Sequence, residues 1–61
     1  MFNTMILVDQ FGQNETINLN VATNVYIPRT GELVTWKYKP DPKVINVQYD
    51  FKEGVIYVAL G

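Results

Sequence analysis

The chain has no cysteine, no histidine and no serine among its 61 residues, and each absence removes a class of function. Without cysteine there is no disulfide framework, and without cysteine or histidine the common zinc ligand sets cannot be assembled. So small a core must then be stabilised by apolar packing or by association between subunits. Hydrolytic triads and their common variants lack both nucleophile and base. Threonine, tyrosine, lysine and carboxylates remain. Asp9, Glu15, Asp41, Asp50 and Glu53 all fall in or beside expected turns, where water keeps a carboxylate ordinary, so the chain is read as non-catalytic.

Charge of one sign is also scarce. Arg29, Lys37, Lys39, Lys43 and Lys52 face six carboxylates, and a formal net charge of −1 gives no long-range field to draw in a polyanion. Gly12, Gly31, Gly54 and Gly61 stand apart from one another, so no glycine-rich loop cradles a phosphate. No stretch has the dense oxygen spacing of a calcium loop, and neither a metal nor a cofactor is expected. The apolar start, residues 1–9, is too short to span a bilayer and lacks a basic leader. A soluble, cytoplasmic protein with no membrane partner is therefore expected, in agreement with the absence of cysteine.

What is present is alternation of period two, in five runs bounded by glycine, proline or asparagine. In the first, Phe2, Thr4, Ile6 and Val8 share one face and Asn3, Met5, Leu7 and Asp9 the other. Thr16–Val21 follows with apolar residues at odd positions, after the turn at Gln10-Phe11-Gly12-Gln13. A bend is expected at Asn24, then a short extended piece, Val25-Tyr26-Ile27, and a turn at Pro28-Arg29-Thr30-Gly31. Glu32–Lys39 reads as a third strand with Val34, Trp36 and Tyr38 on one face, ended by Pro40-Asp41-Pro42. The fourth run places Ile45, Val47, Tyr49 and Phe51 inward. Lys52-Glu53-Gly54 then closes a hairpin into Val55–Leu60, which is apolar on both faces. Such a strand is expected at the centre of a closed barrel or between subunits, because a free edge of that kind would template aggregation.

The reading is a single all-β domain over residues 1–61, a five-stranded antiparallel meander curled into a small barrel. The stretch Ile27-Pro28-Arg29-Thr30-Gly31-Glu32-Leu33-Val34, followed by strand, proline turn, strand, tight turn and strand, resembles the layout of small SH3-like barrels. A short Asn-rich chain without Cys, His or Ser also resembles small phage-encoded accessory and anti-defence proteins. No functional residue is carried over from that resemblance, and an accessory or inhibitory factor of that kind fits a protein that acts by contact with another protein.

Eight aromatic side chains are more than so small a core encloses, and rigid rings with polar tips suit protein interfaces. Phe11 at a turn tip, Tyr26 beside Pro28, Arg29 on the same rigid turn and Tyr57 on the last strand are the candidate partner-binding residues. A protein partner and a homodimer are the expected associations. The alternative is single-stranded nucleic acid, held by Trp36, Lys37, Tyr38, Lys39 and Lys43, where aromatic and basic residues interleave as on base-stacking platforms. Strand alternation opposes it by turning Trp36 and Tyr38 into the core and the lysines into water.

Overall fold

Period-two patterning becomes strand where a neighbour exists to complete the ladder. The computed structural model describes residues 2–20 and 25–61. Met1, Val21 and the bend expected at Asn24 lie outside the described residues. Among those described there are four strands and no helix: β1 (Thr4–Val8), β2 (Asn14–Asn18), β3 (Val44–Asp50) and β4 (Val55–Leu60). They form one sheet in the order β2-β1-β4-β3.

The sheet is mixed and open, where an antiparallel barrel was expected. β1 pairs with β2 antiparallel, Met5 opposite Ile17, and β4 with β3 antiparallel, Val58 opposite Val47. At the centre β1 and β4 run parallel, Met5 beside Ile56 and Leu7 beside Val58. Two hairpins are thus joined side by side through their first and last strands. A parallel pair needs a long crossover, whose described part is residues 25–43.

That crossover replaces the expected third strand. In 32–39 the sole ladder contact is an isolated bridge, Leu33 to Lys43. Val34 N–H donates to the Pro42 carbonyl, so the chain doubles back through Pro40-Asp41-Pro42, with Asp41 at φ 37°. Neither proline can donate to a ladder, and the run ends as an irregular loop.

One face of the sheet carries the core. Met5, Leu7, Ile56, Val58, Leu60 and Val44 are buried there together with Trp36, which the crossover lays over them. Val25, Ile27 and Val34 pack on it from the crossover, and Ile17, Leu19 and Val47 from the sheet side. The Phe2, Tyr49 and Phe51 rings meet edge-on at one end, with centroids 5.2 and 5.0 Å apart.

The opposite face presents Ile6, Val8, Val55 and Ala59, all half-buried, with Tyr57 exposed among them. The doubly apolar last strand is therefore central, but in an open sheet. The fourth run keeps Val47 and Tyr49 on the core face, opposite Val58 and Ile56, and departs from its expected facing at its two ends. A bulge between Val44 and Asn46 shifts the alternation, leaving Ile45 exposed, and Phe51 falls past the strand end at 84% exposure.

Candidate functional site

The turn at Pro28–Gly31 is organised by a carboxylate that follows it. Gly31 adopts φ 95°, a conformation glycine enters without cost from a Cβ, and Glu32 N–H donates to the Arg29 carbonyl at 3.1 Å. The Glu32 side chain folds back over the turn. Its Oε1 accepts the Arg29 N–H at 2.7 Å and its Oε2 accepts the Tyr26 hydroxyl at 2.9 Å. These donors hold the Glu32 carboxyl below its ordinary value, the Arg29 N–H foremost, and the same carboxylate pushes the Tyr26 phenol up. One acidic side chain thereby fixes both the loop and the ring that stands on it.

Beside this loop lies an open groove of about 450 Å³, lined by Tyr26, Ile27, Pro28, Arg29, Thr30, Val47 and Tyr49. Two rings and a proline form its walls, Val47 its apolar floor, and among the described residues Arg29 is the one charged residue lining it. Tyr26 is exposed and Tyr49 is 46% exposed, so both rings are available to a ligand. Phe2 and the exposed Phe51 extend the aromatic surface beyond Tyr49. Neither a family model, nor a curated protein, nor a solved structure matches this chain. The geometry of the groove and its surroundings is accordingly the ground for a functional reading.

Of the expected partner-binding residues, Tyr26 and Arg29 come together in the groove. Phe11 stands apart and exposed at the β1–β2 turn, and Tyr57 lies on the face opposite the core. Tyr49 and Val47, on the core face as alternation predicts, also line the groove, a role the sequence reading does not give them. The glycine–acidic pair Gly31-Glu32 was the available signal for the turn, but nothing local marks Glu32 as the acceptor for Tyr26, six residues before it.

The nucleic-acid set is divided. Trp36 is 7% exposed and its Nε1–H donates to Asp9 Oδ2 at 3.0 Å, so its faces are packed away from any base. Tyr38 is 45% exposed, edge-on to Trp36 at 5.4 Å, with Lys37 Nζ 5.2 Å from its ring centroid. Lys39 is half-buried, and Lys43 sits exposed opposite Leu33.

The expectation that turn carboxylates are merely solvated fails at Asp9, which is 8% exposed. Its Oδ1 accepts the N–H groups of Phe11 and Gln13 at 2.8 and 3.0 Å, closing the β1–β2 turn while Oδ2 holds Trp36. Every oxygen of this carboxylate is engaged in structure. Among the described residues there is no cluster of three metal-ligating side chains and no helix long and apolar enough to cross a membrane.

Proposed function

We propose that the chain is a non-catalytic protein-binding module whose contact surface is the groove between the Tyr26–Thr30 loop and Tyr49. The observation carrying this reading is the clustering of two exposed tyrosines, a proline and one arginine around an apolar floor, with the loop held by Glu32. Pre-ordered aromatic and arginine side chains lose little freedom on binding and dominate protein interfaces. An accessory or inhibitory role, of the kind the resemblance to small phage-encoded proteins implies, would be exerted by occupying a partner's surface.

The test is capture of a partner from host lysate after nuclease treatment, repeated with Tyr26→Ala and Tyr49→Ala. Loss of one and the same protein from both variants, with the circular dichroism spectrum retained, is the expected result. Capture unchanged in both variants removes the groove from the account. Material that disappears with nuclease would favour the nucleic-acid alternative, which now rests on Tyr38, Lys37, Lys39 and Lys43 without Trp36.

A second association is favoured by the other face of the sheet. The parallel pair β1–β4 presents half-buried Ile6, Val8, Val55 and Ala59 and exposed Tyr57 there, with no layer of the described residues over them, whereas parallel strands are ordinarily covered on both sides. The surrounding strand positions are Thr4, Asn14, Thr16, Asn18, Asn46 and Gln48, with the charges at the margins, Asp50 at one corner and Lys43 beside Gly61 at the other end of β3. A second copy of the chain can meet this neutral surface without opposing like charges at its centre. Self-association through this face is proposed as the homodimer contact.

A further inference from the structure

The groove is bounded on one side by an edge strand whose hydrogen-bonding pattern can be followed residue by residue. Lys43 and Gly61 exchange both backbone bonds, at 3.1 and 2.8 Å, so Lys43 points its main-chain groups at the β4 side. Val44 therefore points outward. There it receives Gly31 and Glu32: Gly31 N–H donates to the Val44 carbonyl and Val44 N–H to the Glu32 carbonyl, each at 2.8 Å. Past the bulge the pairs are Asn46–Ala59, Val47–Val58, Gln48–Tyr57 and Tyr49–Ile56. Alternation of narrow and wide pairs then turns the main chains of Val47 and Tyr49 outward, as at Val44. The Gly54 carbonyl, bonded by Asn3 N–H on the β1 side, fixes the same alternation along β4.

The short ladder begun by residues 31–33 stops at Val44, because the turn closed by Glu32 N–H to the Arg29 carbonyl leads the chain away from β3. From there the groove opens between the departing loop and β3. Among the described residues nothing hydrogen-bonds the outward main-chain groups of Val47 and Tyr49. Two outward residues at about 3.4 Å per residue present an edge roughly 7 Å long, with an apolar floor and one cation beside it.

We infer that the groove binds an extended, acidic–apolar peptide segment of another protein by strand addition, the segment continuing the ladder along Val47 and Tyr49. This rests on the protein-binding reading of the groove and specifies its partner. The main-chain bonds set the segment's extended form, and the rings of Tyr26 and Tyr49 take apolar side chains from the one face turned toward them. Charge decides the remaining position. Glu32 has both oxygens occupied by its own loop, so the charged group offered to a ligand in the groove is the Arg29 guanidinium, which pairs with a carboxylate in a planar fork.

The probe is a blocked peptide with valine, aspartate and valine at alternate positions and threonine between them. It is added to the intact protein while the backbone amides are followed by nuclear magnetic resonance. Shifts and slowed exchange at Val47 and Tyr49 are expected, with affinity falling about ten-fold when lysine replaces the aspartate. Arg29→Gln should abolish that preference while leaving the exposed turn folded. The same peptide methylated on its central amide nitrogens keeps its side chains but cannot donate to the edge, and it should not bind. Equal binding of the methylated peptide overturns strand addition while leaving the groove as a protein-binding site. Absence of any shift at Val47 and Tyr49 with the unmethylated peptide overturns the proposed ligand class. Only Tyr26→Ala and Tyr49→Ala without effect on partner capture would remove the protein-binding reading beneath it.

Discussion

Trp36 Nε1–H donates to Asp9 Oδ2 at 3.0 Å, joining the crossover loop to the end of β1 across 27 residues of sequence. The same carboxylate closes the β1–β2 turn through Phe11 and Gln13. An asparagine cannot accept all three donors, because one of its two polar atoms is itself a donor. Asp9→Asn should therefore lower the urea midpoint without changing the m-value. Trp36→Phe, which keeps a ring but removes the N–H, should cost about 1–3 kcal/mol.

Acid should reproduce the loss. The Trp36 N–H, opposed by burial and assisted by the Phe11 and Gln13 N–H groups, holds the Asp9 carboxyl below its ordinary value. A carboxyl that is more acidic folded than unfolded contributes stability above its unfolded pKa, about 3.9, and loses it as pH falls through the lower folded value. Glu32 acts in the same direction through Arg29 and Tyr26. Denaturation midpoints should be flat from pH 7 to about 5 and fall below about 4, and the fall should be shallower in Asp9→Asn. A variant as acid-sensitive as the parent would remove Asp9 from this account.

Legibility followed the range of the interaction. Val44–Asp50 is readable as a strand because apolar and polar residues alternate in its sequence from Ile45 on, and Val55–Leu60 because an apolar run follows a tight turn, its neighbour lying one hairpin away. The pairing of β1 with β4 is not, since no periodicity records which strands are parallel partners. Ile45 shows the same limit at small scale, because the bulge puts Val44 in the core and Ile45 in solvent while Val47 and Tyr49 beyond it keep the expected face. Trp36 was correctly sent inward by alternation, but as a loop anchor and not as part of a strand. At the groove, the rigid turn pointed to Tyr26 and Arg29, whereas Tyr49 became accessible because the loop departs from β3, a tertiary event.

The turn makes a separable prediction. Gly31 sits at φ 95° with open space where a Cβ would be, so Gly31→Ala meets no clash and its cost is backbone strain alone, about 1 kcal/mol. Glu32→Gln should leave global stability nearly unchanged, because the turn is exposed, yet loosen Tyr26 by weakening its acceptor. The Tyr26 phenol, now raised by Glu32, should titrate closer to its ordinary value in that variant, and ultraviolet titration reads it directly. A Tyr26 titration identical in both proteins would contradict the Glu32 contact.

Core substitutions should be severe for a chain of this size. At about 0.05–0.15 kcal/mol per residue, 61 residues correspond to roughly 3–9 kcal/mol of stability. Leu60 is 1% exposed on the central strand β4, and Leu60→Ala should cost about 2–5 kcal/mol, a large share of that stability. Ile56→Val, which removes one methylene, should cost about 0.5–1.5 kcal/mol and remain folded. Thermal unfolding followed by circular dichroism separates the two.

The face opposite the core gives the last prediction. Tyr57 lies at its centre, with Ile6 beside it on β1 and Gln48 on β3, and it takes no part in the buried core. A lysine there is compatible with an exposed strand position but places a charge, and its copy by symmetry, in the middle of a self-paired surface. Sedimentation velocity at micromolar concentration should find the parent dimeric and Tyr57→Lys monomeric, with far-ultraviolet spectra that superimpose. A substitution in the groove, Arg29→Gln, should leave the dimer intact, because the two surfaces occupy different sides of the sheet. A parent that sediments as a monomer excludes the homodimer.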